Sequence, residues 1–410
     1  MNCTKALLQV LSTAAISFTF ASLLACGGNP AATVANPTLA IADTGNNRIL
    51  IYNTSVDQIG NPAVVLGQPD FLSGDANRGT GTPAANTFNI PGSVAKDSAG
   101  NLYVADSGNA RVLIFRPPFS TGMKASVVIG QQGFTTANVA DNASSMGGPY
   151  SLAVDSKGNL WVSDDTNDRV LEYTPPFSNG MAATLAIGQT STQAATVCYE
   201  NPPTANTLCD LEGMAFDAKG DLWLTDSTYN RVLEYTPPFS TGMAASLELG
   251  QPASAPFTSG TAIITSPGIP SATSLAAPVA VTFDASGNLW LADYGFNRVL
   301  EYAPPFANGM AATSVLGQVD FTHGDANRSS NSPAGDTLSG PWGLAFDSGG
   351  NLNVSDRGNS RLLVFASPLT NGTVATSVIG QTNFTAGSQN QGTGSPTANS
   401  LAGPFSLSTF

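Results

Sequence analysis

The chain has 410 residues, only 10% of them charged, with 28 acidic against 15 basic side chains and 42 glycines. A net charge of −13 repels nucleic acid and anionic headgroups, and six of the ten arginines belong to one repeated pattern, so nucleic-acid binding is disfavoured. Low charge with abundant glycine suits a β-protein rich in tight turns.

Residues 1–25 read as a signal peptide, because Lys5 is their only charge and an apolar stretch dotted with Ser and Thr runs from Ala6 to Leu24. The run Leu23-Leu24-Ala25-Cys26 resembles the bacterial lipobox, which implies cleavage before Cys26 and lipid on its thiol. Ordinary secretion, with Cys26 incidental, is the alternative. Residues 26–35 would then be a lipidated tether, and membrane contact would run through that lipid only. Gly27 rather than aspartate after the cysteine favours the outer membrane in a Gram-negative host. The expected location is the cell envelope, as an outer-membrane-anchored or periplasmic lipoprotein.

Beyond the tether, an aspartate is followed five residues later by arginine, six times over. The pairs are Asp43 and Arg48, Asp106 and Arg111, Asp164 and Arg169, Asp226 and Arg231, Asp293 and Arg298, Asp356 and Arg361. Twenty residues after each arginine stands a Gly-Gln: Gln68, Gln131, Gln189, Gln251, Gln318 and Gln381. Fixed spacing within units whose separations drift means one supersecondary unit copied six times.

The second unit predicts short strands over 93–97, 101–105, 111–115 and 125–129, with turns at Ser98-Ala99-Gly100 and Ser107 to Ala110 and a break at Pro117-Pro118-Phe119. Four such strands per unit of about 60 residues, bounded by Gly, Pro and Asp, read as a propeller blade. The segments Gly100-Asn101-Leu102-Tyr103-Val104-Ala105-Asp106 and Asn109-Ala110-Arg111-Val112 resemble the NHL repeat, and recur at 158–170, 220–232, 287–299 and 350–362. The resemblance implies an all-β, six-bladed β-propeller over 36–410, made of four-stranded antiparallel blades. The first unit lacks an innermost strand, whereas 403–410 match one with nothing after it. The C-terminal strand is therefore expected to pair with the N-terminal blade and close the ring.

Cys198 and Cys209 remain once Cys3 and Cys26 are set aside. An even remainder in an exported chain predicts a disulfide, against buried thiols or a metal pair.

The repeated Asp, Arg and Gln all fall at one end of the blade, where they read as scaffold: the charges pair across a hairpin and the glutamines bond to backbone. Function is expected where the copies differ, on the face carrying the long connections 69–90, 132–148, 190–210, 252–277, 319–340 and 382–403. The other face is expected to carry the short Asp-x-x-Gly-Asn turns and the Pro-Pro-Phe segments. At the start of the innermost strands stand Gly92, Tyr150, Glu212, Val279, Trp342 and Phe405. Tyr150, Glu212, Trp342 and Phe405 are candidate ligand contacts, together with the turn residues Asp165, Tyr229, Tyr294 and Arg357; Phe296 also departs from the plain turn pattern. The alternative is that the aromatics only plug the channel.

These features predict a monomeric binding scaffold for a protein or glycan partner, with no catalytic residue assigned. A divalent-metal-dependent lactone hydrolase or lyase at the channel is the rival reading. Propellers similar to this one include lyases that depend on histidines, yet His323 is the only histidine here. Related lactone hydrolases use several inner-strand carboxylates and amides, where this chain offers Glu212 and Asp210. No metal site or cofactor is assigned; Ca²⁺ at Asp75 and Asp325, in matching Gly-Asp-Ala-Asn-Arg segments, stands against turn capping by those carboxylates.

Overall fold

The computed structural model describes residues 33–34, 37–53, 60–194, 198, 202–258 and 269–410. The expected signal peptide, Cys26 and all of the tether except Thr33 and Val34 lie outside the described residues.

Six four-stranded antiparallel sheets form the blades. Blade 2 comprises Pro91–Lys96, Leu102–Asp106, Arg111–Phe115 and Val127–Ile129, from the channel outward. Its innermost strand begins earlier than the sequence suggests. Its outermost begins later, because the Ala125 N–H leaves the ladder to bond the Ala85 carbonyl at 2.7 Å. Blades 3 to 6 repeat this order, with innermost strands starting at Pro149, Met214, Pro278 and Pro341. Blade 1 is closed as expected: Leu407–Thr409 pairs antiparallel with Leu39–Asp43, Ile41 facing Leu407. Outside the sheets the described residues contain only short 3-10 turns, and no helix long and apolar enough to cross a membrane.

Every strand is short and nearly all apolar, since each blade is covered on both faces by its neighbours. Trp161, Trp223 and Trp290, on second strands, are fully buried. Phe239 and Phe306, from the Pro-Pro-Phe segments of the following blades, meet Trp161 and Trp223 edge-on at 4.9 and 4.8 Å. These segments do not stay on the lower face. Each turns along the outer edge of the preceding blade, where Thr121 accepts from Val65 N, Asn179 from Val128 N and Asn308 from Glu248 N. Their chemistry explains the position, because an outermost strand otherwise presents unpaired backbone groups. The segment in blade 2 also carries Phe119–Ser120, which pairs with Thr33–Val34.

The repeated arginines are buried clasps rather than surface partners. All six Asp–Arg pairs are fully buried, with Nε to Oδ2 distances of 2.6–2.8 Å. In blade 5, Arg298 gives Nε to Asp293, Nη1 to the Phe321 carbonyl and Nη2 to the Ser271 and Ser274 carbonyls. It thereby ties the incoming loop, its own hairpin and the outgoing loop. Blade 4 departs from this: Arg231 Nη1 meets the buried Glu248 carboxylate at 3.2 Å instead of a loop carbonyl. The other aspartate oxygen also holds a loop, as Asp356 Oδ1 accepts from Ser339 N and Asp43 Oδ1 from Ala402 N. The glutamines bond backbone as expected; Gln131 Nε2 donates to the carbonyls of Ala110 and Asn138. Burial pushes the acids of Asp226 and Asp293 up to about 7 and 6, against the pull of their arginines. The result is a rim of loops pinned from below.

Three rim loops share a further device. Asn77 and Asn109 exchange side-chain amide bonds at 3.0 and 2.9 Å, and the pairs Asn327–Asn359 and Asn390–Asn46 do the same. The expected capping by Asp75 and Asp325 is not what closes these loops. Neither carboxylate caps its turn: the backbone carbonyl of each accepts the turn bond, while the Asp325 side chain takes the Ser329 hydroxyl at 2.7 Å.

Candidate binding site

The site is built from one position, the residue that follows each repeated aspartate. Where it is a hydroxyl it joins adjacent blades: Thr44 donates to the Pro91 carbonyl, Ser107 to Pro149 and Ser227 to Pro278. In blade 3, Asp165 makes the equivalent link by accepting from Leu211 N at 2.9 Å. Blades 5 and 6 carry Tyr294 and Arg357 here, and neither makes such a bond among the described residues. Their side chains reach the mouth of the channel.

There Trp342 stacks on Phe405, with ring centres 4.7 Å apart and 18° between planes. Tyr150 leans on both, at 6.2 and 5.9 Å, and Tyr294 meets Trp342 edge-on at 5.0 Å. The Arg357 guanidinium lies 4.4 Å from the Trp342 ring centre and 4.5 Å from that of Phe405. Contact between rings and a guanidinium of this kind is attractive through the ring quadrupole. Rings from blades 3, 6 and 1 thus meet across the axis and floor the mouth. Below them the channel is narrow, about 100 Å³, because a Cβ on Gly213 or Gly343 would strike the carbonyl of Val279 or Phe405.

Two cavities open on either side of the Tyr294–Trp342 contact. The larger, about 780 Å³, is lined by Arg357, Tyr294, Phe405 and the polar loop residues Asn47, Asn89 and Ser339. The smaller, about 370 Å³, is lined by Trp342, Glu212, Asp210, Thr228 and Asn230. Glu212 Oε2 is buried and makes no hydrogen bond. Its burial first, then the charges of Asp165 and Asp210, hold its acid well above the usual range, with Arg357 pulling the other way. Burial and Asp210 push Asp165 up to about 7, and burial brings Asp168 to about 6. Thr228 donates to Asp210.

Tyr150, Glu212, Trp342, Phe405, Tyr294 and Arg357 therefore converge on the mouth, and Asp165 stands beside Glu212. Tyr229 lies elsewhere: it is buried against Cys198 and Cys209, its hydroxyl donates to the Cys198 carbonyl at 3.0 Å, and Arg231 sits over its ring. Phe296 likewise lies under Arg298. Both occupy the third turn position, where blades 1, 2, 3 and 6 have an asparagine bonded to the repeated aspartate. Sequence reading missed Thr228 and the blade-joining role of the hydroxyls, although their recurrence after each aspartate was a usable signal. The expected disulfide is present between Cys198 and Cys209, with Cα atoms 5.4 Å apart. Among the described residues, the only metal-sized group of His, Cys, Asp and Glu is Asp168 with these two cysteines, whose sulfurs are bonded to each other.

Residues 88–115 and 338–365 match the family model of the NHL repeat. No curated protein matches the sequence. Similar solved structures include a protein of unknown function from Bacteroides caccae, 11% identical over 91% of this chain and 98% of that one, with a TM-score of 0.51. The periplasmic gluconolactonase of Pseudomonas aeruginosa is 14% identical over 91% and 98%, at 0.48. The virginiamycin B lyase of Staphylococcus aureus is 11% identical over 68% and 67%, at 0.39. At such identities the likeness concerns the fold alone, and it rests on the first of the three.

Proposed function

We propose that this chain, a six-bladed propeller carrying NHL repeats, is an exported lipoprotein that binds a glycan or protein partner through the face bearing its long inter-blade loops. The observation that carries this reading is the ring and guanidinium cluster at the mouth, formed where two turn positions give up a bond that joins blades in the others. A partly open aromatic floor with a few convergent polar groups is the usual composition of a binding site. The loops around it are clasped by buried arginines, so the rim is held in shape before a partner arrives, which lowers the ordering cost of binding.

The unpartnered Glu212 carboxyl supports a second reading, in which it serves as an acid for a hydrolase or lyase at the channel. Against it, Glu212, Asp165 and Asp210 do not form a metal-sized cluster, and the space below the rings is narrow. A pull-down from the native envelope with wild-type protein and Trp342→Ala tests the binding reading. It expects a partner retained by the wild type and lost by the mutant. Lactone or lyase turnover that disappears in Glu212→Gln, with no partner dependent on Trp342, would overturn it.

A further inference from the structure

We propose that the larger mouth cavity holds a carboxylated sugar, with Arg357 as the residue that receives its carboxylate; this rests on the mouth being the binding face. Each of the six repeated arginines is buried and committed to an aspartate and to backbone carbonyls, and Arg231 to Glu248 as well. Arg357 is different. Its side chain makes no hydrogen bond or ion pair among the described residues, and it is the only cation lining the 780 Å³ cavity. Trp342 and Phe405 hold it by contact with both rings, which fixes a planar fork of donors without consuming them. Such a fork matches a carboxylate in bidentate geometry.

Charge selects the anion. A dianionic phosphate is ordinarily met by more than one cation or by a helix N-terminus. Here the cavity lining offers one guanidinium and no carboxylate, while Asp210 and Glu212 line the neighbouring cavity, where Arg357 already pulls on Glu212. A monoanion fits that balance better. The cavity size lies within the range of small-ligand sites, about 300–1,000 Å³, and its wall combines the Tyr294 and Phe405 rings with Asn47, Asn89 and Ser339. The half-buried Tyr294 ring for the apolar face of a sugar, and the Asn89 amide oxygen and the Ser339 hydroxyl for its hydroxyl groups, complete the match.

Calorimetric titration of the wild type with digalacturonate and with its dimethyl ester tests the assignment. The acid should bind at least tenfold tighter than the ester. Arg357→Ala should bring acid and ester level while keeping a melting curve close to the wild type, and Arg357→Lys should restore only part of the preference. Equal binding of acid and ester, or a preference that survives in Arg357→Ala, would overturn the carboxylate role and leave mouth binding standing. If neither sugar binds at millimolar concentration, the sugar-acid assignment falls, and an acidic peptide that binds through Arg357 would replace it. Loss of the envelope partner in Trp342→Ala is a separate reading, so failure here and failure of the binding face remain distinguishable.

Discussion

Trp342 at the start of blade 6 and Phe405, two residues before the closing strand, are stacked at 4.7 Å, so the contact that floors the mouth depends on the segment that closes the ring. Residues 401–410 therefore serve two purposes. Deleting them removes Leu407–Thr409 from blade 1, the Ala402 N–H bond to Asp43, and the Phe405 ring. The edge of Leu39–Asp43 would be left open to pairing with other chains. The truncated protein should melt far below the wild type or aggregate, as read by circular dichroism and size-exclusion chromatography. Unchanged melting would show that this strand does not close the ring.

Asp165 should make stability depend on pH. Its acid is raised to about 7 by burial and by Asp210, so its contribution is fully present below the unfolded value near 4. That contribution is lost as pH rises through 7. Asp165→Asn keeps an oxygen for the Leu211 N–H and removes the charge. It should stabilise by on the order of 2 kcal/mol at about pH 8 and by little at about pH 4. Melting curves at the two pH values check this, and an equal effect at both would remove the buried charge as the cause.

The Cys198–Cys209 disulfide closes a short loop in the 190–210 connection, next to Tyr229. Replacing both cysteines by serine should cost up to about 3 kcal/mol in the chain-entropy account. Denaturant unfolding measures the loss. A double mutant as stable as the wild type would mean the bridge constrains nothing that the loop does not already hold.

Lipidation of Cys26 is proposed on sequence grounds alone. Cys26→Ser should release the protein from membranes and abolish labelling by a fatty-acid probe. A mutant that stays membrane-bound beside an unlabelled wild type would replace the lipid anchor with some other attachment.

The fold was legible because one local demand is met six times. Asp and Arg at either end of a turn, and a Gly-Gln twenty residues on, mark each hairpin and the loop that follows, and the leftover match at 403–410 gives the closure. What the spacing did not convey is that the pairs are fully buried, because the carbonyls that close over each arginine belong to the adjoining loops, as those of Ala84, Thr87 and Phe134 do around Arg111. For Arg48 two of them, in Thr397 and Ser400, are almost a chain length away. The mouth was legible in Tyr150, Glu212, Trp342 and Phe405, which align by position at or just before the inner strands of blades 3, 4, 6 and 1. Tyr229 was not separable from Tyr294 while the turn was taken as a whole. Its position in the turn aims it back at Arg231, whereas the first position aims at the channel. The course of the Pro-Pro-Phe segments along the outer edge was hidden for a related reason, since the atoms that draw them there belong to the preceding blade.

The central claim is that the mouth binds while the repeated pairs only hold it in shape. Trp342→Ala and Arg169→Ala, each given a melting curve and a binding isotherm with the partner captured from the envelope, separate the two. Trp342→Ala should lose about 2 kcal/mol or more of affinity in the folded fraction, as expected of an aromatic anchor, beside the stability its contacts with Phe405, Tyr150 and Tyr294 supply. Arg169→Ala should lose about 3–5 kcal/mol of stability, because Asp164 is left buried without its partner, while the folded fraction keeps its affinity. A Trp342→Ala protein that binds as well as the wild type but melts lower, beside an Arg169→Ala protein that melts normally but no longer binds, would contradict the account.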